Sequence, residues 1–172
     1  MNATASTGTA TLPLSRSLVR GAIGGLIGGM AMAMFSMVVA ISEDGFWAPV
    51  RGITSVVFGD EHYGGSFALG SVVVGLIGHM MNSLVLGAVF ALIITLLLAK
   101  ASSTVVLGAG VVFGLMVWLV MVPIVARQAQ SSELFANSVP AWAWVVGHLM
   151  FGMITAAVFV AGRKRNWRAD QD

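Results

Sequence analysis

Long apolar runs separated by short polar segments dominate the hydropathy pattern of this chain. Four such runs cover about residues 18–41, 70–99, 104–126 and 141–161. An α-helix needs about 20 apolar residues to cross the hydrocarbon core of a bilayer. The second run is longer than this, so we expect it to tilt, to kink at a glycine or to extend beyond the lipid. The pattern therefore predicts four membrane-spanning helices.

A fifth, shorter helix is predicted between the first and second spans, at about residues 46–58. Phe46, Val50, Ile53 and Val57 recur there at helical spacing, while polar side chains fall on the other side. Trp47 is a residue type that favours the boundary between membrane and water. We interpret this segment as an amphipathic helix that lies in the membrane interface.

The two ends of the chain differ from the apolar runs. Residues 1–17 are rich in Thr, Ser and Ala without apolar periodicity, which predicts a disordered tail. Residues 164–172 form a basic tail after the fourth span. Residues 18–163 are then one four-span membrane domain.

Composition supports lipid as the main solvent of the chain. Hydrophobic residues make up 58% and charged residues 9% of the sequence, values that lie outside the range of soluble globular domains. There is no cysteine, which excludes disulfides, thiolate metal ligands and cysteine nucleophiles. The net charge is only +2 and the basic residues flank apolar runs, so they indicate membrane topology and not nucleic-acid binding.

The distribution of basic residues predicts the orientation of the spans. Lys and Arg are retained on the cytoplasmic side of a membrane. Arg51 and Arg127 would lie on one side of the membrane. The other seven basic residues would lie on the opposite side, together with both termini, so both termini are predicted to be cytoplasmic. The seven are Arg16, Arg20, Lys100, Arg163, Lys164, Arg165 and Arg168.

The second and fourth spans resemble each other. Placing Gly78 on Gly147 also aligns His79 with His148, and the matching residues keep the same intervals as far as an Ala-Val-Phe triplet. The first and third spans match more faintly: Gly24, Gly28 and Met30 fall on Gly110, Gly114 and Met116. We interpret the chain as two tandem helical hairpins of parallel topology. The similarity between the hairpins can come from a duplication or from shared apolar composition.

Polar residues inside the spans share helix faces. His79, Asn82 and Ser83 lie on one side of the second span, and His148 and Thr155 lie on one side of the fourth. Such side chains turn towards other helices, because hydrocarbon offers no hydrogen-bond partner.

Small residues predict where helices approach closely. Glycines four residues apart let two helix backbones come together in a membrane. The glycines predicted at helix contacts are Gly24, Gly28, Gly87, Gly110 and Gly114.

Methionines cluster in the same half of the membrane as the histidines, the half predicted to be external. At 1.5 Å per residue, the two histidines lie roughly 10–12 Å below the outer ends of their spans. The methionines that could join them in binding a soft metal are Met30, Met34, Met37, Met81 and Met150.

Several roles for the histidines remain open. Each can donate a hydrogen bond that fixes the bundle. The pair can also supply both axial ligands of a haem b, although the propionates would find only Arg51, Arg127 or His62. Imidazole and thioether together suit Cu(I). The sequence contains no carboxylate pair within a span and no phosphate-binding loop, which argues against an enzyme.

The chain resembles a group of small bacterial inner-membrane proteins of unknown function that includes the YagU-like proteins. The segments that carry this resemblance are "GFWAPVRGI", "GHMMNSLVLGAVFAL", "GVVFGLMVWLVMVPIVA" and "WVVGHLMFGMITAAVF". The resemblance implies four spans in the bacterial plasma membrane and recurrent histidines at His79 and His148. It implies no activity.

Together these patterns predict an all-α, polytopic four-helix bundle made of two tandem hairpins. The leading hypothesis is a non-catalytic membrane component that binds lipid, a partner membrane protein or a second copy of itself. The alternative is a haem- or Cu(I)-binding membrane protein.

Overall fold

The computed structural model describes residues 13–122 and 132–169, and every regular element within those ranges is a helix. The predicted all-α fold is thus confirmed. Short 3-10 turns at Ala40–Ser42 and Asp60–His62 flank the second helix. The α-helices are α1 (Leu14–Val39), α2 (Ala48–Phe58), α3 (Leu69–Leu97), α4 (Ser103–Val120), α5 (Ser132–Asn137) and α6 (Ala141–Ala169).

Four of these helices, α1, α3, α4 and α6, are long and apolar enough to cross a membrane. Helix α1 begins at Leu14, four residues before the predicted span, and the predicted end of the third span at residues 123–126 lies outside the described residues. Helix α6 continues to Ala169, into the predicted basic tail.

Much of the apolar surface of the four long helices is not covered by protein. In the most apolar stretch of 18 residues, 50% of the residues of α6 are buried against protein, but only 22% of those of α4 are. Apolar patches of this extent are uncommon on monomeric soluble proteins. The four helices therefore fit a multi-pass membrane protein, with lipid as the solvent of their outer faces.

Helix α1 lies between α3 and α6 because it carries glycines on two faces. A Cβ on Gly28 would come 2.7 Å from the carbonyl oxygen of Phe151 in α6. One on Gly25 would lie 2.9 Å from the Cα of Gly87 in α3. Neighbouring glycines thus serve different contacts: Gly24 and Gly28 face α6, whereas Gly25 faces α3.

The contact between α4 and α6 is built in the same way. A Cβ on Gly110 would lie 2.6 Å from the carbonyl oxygen of Gly152, and one on Gly152 would lie 2.9 Å from the Cα of Gly114. Small residues thus let the backbones of both hairpins approach directly. All five glycines predicted at helix contacts lie at such approaches: Gly24, Gly28, Gly87, Gly110 and Gly114.

Aromatic side chains fill the end of the bundle that is distant from α2. The ring of Phe90 packs against Phe113 at 5.3 Å and against Phe159 at 6.2 Å, so α3, α4 and α6 meet there. Arg163 of α6 donates from Nη2 to the carbonyl oxygen of Ala99, which follows α3. This bond satisfies a backbone group left open near the end of α3.

Helix α2 packs on the first turns of α3. Thr54 donates to the carbonyl oxygen of Ser71 at 2.6 Å, and its Oγ1 lies 3.0 Å from a Cβ built on Gly75. Arg51 and Thr54, on the polar side of the predicted amphipathic helix, are buried, whereas Val57 and Phe58 are exposed. The polar side of α2 therefore faces protein, because the segment before α3 supplies acceptors for Arg51 and the first turn of α3 supplies one for Thr54.

Candidate functional site

A cavity of about 460 Å³ lies at the end of the bundle where α1 and α4 finish and α3 and α6 begin, which we call the α2 end. Its walls come from α1, α2, α3 and α6, from the residues just after α4, and from Phe135 of α5. Most of its lining is apolar, and none of the lining residues within 13–122 and 134–163 is charged. The polar residues of the lining are Ser36, His79, Asn82, Ser83 and His148.

Both histidines of the predicted pair line this cavity. His79 Nε2 lies 2.9 Å from the carbonyl oxygen of Gly29, so α3 is hydrogen-bonded to α1. His148 Nδ1 lies 2.7 Å from the carbonyl oxygen of Trp144, one turn earlier in α6, and the side chain is only 4% exposed. His79 is roughly 15 Å and His148 roughly 10 Å along its helix from the α2 end.

The predicted polar stripe divides between the cavity and a helix contact. Asn82 and Ser83 line the cavity, Asn82 at its exposed edge and Ser83 buried against α1. Thr155 is fully buried away from the cavity, where it donates to the carbonyl oxygen of Phe151 at 2.7 Å. Asn82 and Ser83 can therefore contact a ligand, while Thr155 serves helix packing.

The structure does not gather the predicted methionines. Met30, Met34 and Met81 are 53%, 47% and 64% exposed on the outside of the bundle. Met37 is buried against Val50 and Val72, and the half-buried Met150 is not in the cavity lining. This set remains a prediction without a common site.

Two other methionines line the cavity instead. Met32 lies one turn before Ser36 on α1, and Met121 follows α4. At Met121 and Val122 the backbone takes the wider π-helical path, a deviation that often marks functional positions. The spacing of Met32 from Gly28 and Ser36 is the sequence signal that could have placed it on the face of α1 turned towards α6.

Aromatic residues form the wall beneath α5. Phe135 stacks on Trp144 at 4.8 Å between ring centroids, and the indole Nε1 of Trp144 donates to the carbonyl oxygen of Ala136. Trp144 also lies 6.2 Å from the ring of His148. The four-residue spacing of Trp144 and His148 would have predicted this shared face.

The cavity opens between α2 and α3. Val57, Gly78 and Asn82 are the exposed members of its lining. The outer face of α3 beside this opening carries Met81 and Val85, which are also exposed. In a membrane the opening would therefore lie on the lateral surface of the bundle, beside the apolar face of α3, and not at the end of the bundle.

The loop around α2 is held by polar contacts outside the cavity. Arg51, only 8% exposed, donates from Nε to the carbonyl oxygen of His62 at 2.8 Å and from Nη1 to that of Ser66 at 3.1 Å. Tyr63 donates to the carboxylate of Asp44. Burial, and then the hydrogen bond to Asp44, raises the pKa of Tyr63. Arg51 and His62 do not line the cavity, and Arg127 lies outside the described residues.

The groups that the described lining offers to a metal ion or another ligand are neutral side chains and thioether sulfur. Within residues 13–122 and 132–169, no cluster of three or more His, Cys, Asp or Glu side chains could hold a metal ion. A soft metal would have to use the imidazoles with Met32 or Met121. Hard cations such as Mg²⁺ or Ca²⁺ would find no carboxylate among the described residues of the lining.

A family of unknown function, DUF6789, matches residues 15–168, which cover the helices just described except Leu14 of α1 and Ala169 of α6. The chain belongs to this family. No curated protein and no solved structure matches it. Membership of DUF6789 agrees with the expectation of a family without assigned activity, and the narrower resemblance to YagU-like proteins remains a prediction.

Proposed function

We propose that this DUF6789 protein is a non-catalytic membrane component that binds an amphiphilic molecule of the lipid class in the cavity at the α2 end. The observation that carries the proposal is the combination of an apolar lining with two histidines and Asn82 in a cavity of about 460 Å³. Binding sites for small molecules have this character, since apolar walls give affinity and a few polar groups fix orientation.

The side opening supports a ligand that comes from the membrane. Asn82 and Gly78 lie at this opening on α3, and the neighbouring outer face of α3 is apolar. A molecule with an apolar tail could place its head between the histidines while the tail remains against α3. A water-soluble ligand would gain nothing from such an opening.

The proposal includes the predicted orientation. Arg163 and its basic neighbours follow the fourth span at the end opposite to α2, and Arg16 and Arg20 are at the same end. The positive-inside rule then makes the α2 end external and both termini cytoplasmic. The resemblance stated above favours the bacterial plasma membrane.

The two hairpins are, in this proposal, related copies that each contribute one histidine. In the first hairpin Gly25 lies against the Ser83 carbonyl, and in the second Gly110 lies against the carbonyl of Gly152, the residue that aligns with Ser83. These contacts support pairing Gly25, and not its neighbour Gly24, with Gly110. A duplicated hairpin explains why similar helices form opposite walls of one cavity.

Haem b or Cu(I) is the second candidate ligand. It is favoured by the presence of both imidazoles and two thioether side chains, Met32 and Met121, in one lining. Against haem, none of the described lining residues is charged, so the propionates would find no cationic partner among them. Visible absorption and metal analysis of freshly purified protein would detect either ligand.

Co-purified lipid tests the leading proposal. We would purify the protein in a mild detergent and quantify the tightly retained lipids by mass spectrometry. Gly78→Leu should narrow the opening and reduce retention, because Gly78 is an exposed residue of the lining and a Cβ there would lie 3.7 Å from Ile53 across the opening. Gly70→Leu is the matched control on α3, since nothing lies within 4 Å of its Cβ. Equal retention in both variants and the wild type would refute the proposal.

A further inference from the structure

Hydrogen bonds in the cavity fix which nitrogen of each histidine carries the proton. A carbonyl oxygen can only accept, so the ring nitrogen that contacts it must donate. His79 therefore carries a proton on Nε2, which faces the Gly29 carbonyl, and His148 carries one on Nδ1, which faces the Trp144 carbonyl. In each neutral ring the other nitrogen is then an acceptor.

These two acceptors, His79 Nδ1 and His148 Nε2, have no hydrogen-bond partner among the described residues. Both rings border the same cavity. An acceptor that stays unpaired after a ligand has displaced water costs free energy. A matching ligand must therefore offer hydrogen-bond donors at this place.

The lack of charged side chains among the described lining residues decides which hydrogen-bond donor of a ligand fits the cavity. An ammonium group would be a desolvated cation without a carboxylate partner among the described residues of the lining, which include neither Asp nor Glu. A hydroxyl group donates without bringing a charge. Its oxygen can in turn accept from the amide of Asn82, which lies on the same helix face as His79.

We infer that the cavity selects a neutral amphiphile whose head carries one or two hydroxyl groups, with His79 Nδ1 and His148 Nε2 as the acceptors. This inference rests on the proposed function and narrows its ligand class. An anionic phospholipid head is disfavoured by the two acceptor nitrogens. A ketone or an ether of the same size would leave both acceptors unpaired.

Two probes that differ only in the donor test the inference. Dodecanol and its methyl ether would be added to the ¹⁵N-histidine-labelled protein in nanodiscs. Before addition, the ¹⁵N spectra should show the Nε2–H tautomer for His79 and the Nδ1–H tautomer for His148. Dodecanol should shift the resonances of the two free nitrogens, the ether should not, and His62, which is outside the cavity, should stay unchanged.

Variants separate the acceptor from the bulk of each ring. His79→Phe or His148→Phe should weaken dodecanol binding about three- to ten-fold, the effect of one lost hydrogen bond. Gln variants, which retain a carbonyl acceptor, should recover part of this loss, and His62→Phe should have no effect. The tautomers and the two probes can be measured in the wild type, so the test survives a variant that fails to fold.

Each remaining outcome has a defined meaning. If both probes bind equally and Gly78→Leu weakens both, the proposed lipid site stands and the hydroxyl inference is overturned. If neither probe binds, the proposed function fails as well. If Cu(I) supplied from a chelator shifts both free nitrogens while dodecanol shifts neither, the acceptors serve a metal and the inference is overturned.

Discussion

Gly24 of α1 lies against Thr155 of α6 so closely that a Cβ on the glycine would come 2.8 Å from the threonine carbonyl oxygen. The hydroxyl of Thr155, besides its bond to Phe151, lies 3.4 Å from the Gly24 carbonyl oxygen. This approach joins the two hairpins. The cavity depends on it, because α1 and α6 form two of its walls.

Gly24→Ala should destabilise the bundle by about 1–3 kcal/mol, since the added methyl group meets backbone that cannot move aside easily. Thermal unfolding in detergent would measure this effect. Gly108→Ala on α4 is the control: nothing lies within 4 Å of its Cβ, and alanine favours helix by up to about 1 kcal/mol. Equal stability of the two variants would contradict the described contact.

Thr54→Val should loosen α2 from α3 while preserving side-chain shape. The substitution removes the 2.6 Å hydrogen bond to the Ser71 carbonyl, which keeps its bond within helix α3, so the expected loss is that of one hydrogen bond, about 0.5–1.5 kcal/mol. Hydrogen exchange of the amides in α2 would increase. Ser42→Ala, which removes an exposed hydroxyl with a local bond to Val39, should leave exchange in α2 unchanged.

Arg51→Lys should release the segment between α2 and α3 although the charge is kept. A guanidinium reaches the carbonyl oxygens of His62 and Ser66 at the same time, whereas an ammonium on a flexible stem cannot reproduce this fork. Limited proteolysis should cut within residues 59–68 faster than in the wild type. The exposed Arg16 provides a matched control as Arg16→Lys. Unchanged cleavage would show that the fork does not hold the loop.

Stability should fall in alkaline solution because of Tyr63. Its pKa is raised in the fold, by burial first and by the Asp44 contact second, so the neutral phenol is favoured there. The contribution of Tyr63 to folding stability is complete below the usual tyrosine pKa of about 10. It is lost as the pH rises towards the higher pKa that Tyr63 has in the folded protein. Tyr63 is the single tyrosine of the chain, so tyrosinate absorbance reports its titration directly. Asp44→Asn should bring the titration closer to the usual range, and Tyr63→Phe should remove this part of the pH dependence.

The element pattern could be predicted because it depends on local spacing. The apolar runs predicted α3 to within two residues and α1 to within four residues of the observed bounds, and the spacing of Val50, Ile53 and Val57 predicted α2. The face of α2 that would be buried could not be predicted in this way. Its polar side is buried because Ser66 and Ser71, 15 and 17 residues further on and beyond the helix itself, provide acceptors for Arg51 and Thr54.

The candidate site was only partly predictable for a similar reason. His79 and His148 stand out because a polar ring in an apolar run must find a partner within the bundle. Methionine gives no such signal, because its apolar thioether side chain is tolerated both in lipid and in a protein core. Met32 differs from Met30 and Met34 only by its helical spacing from Gly28, which brings that side of α1 against α6, and residue type alone does not reveal this.

The sequence by itself determined the solvent of this protein, its helical class and the residues that lipid would not tolerate unpaired, since composition and helical periodicity are properties of the chain alone. Only the tertiary structure decided which of two adjacent glycines faces which helix, and which side chains share the cavity. Those choices depend on how helices rotate and cross. Such rotations arise from contacts between segments that are far apart in the chain, such as Gly24 with Thr155 and His79 with Gly29.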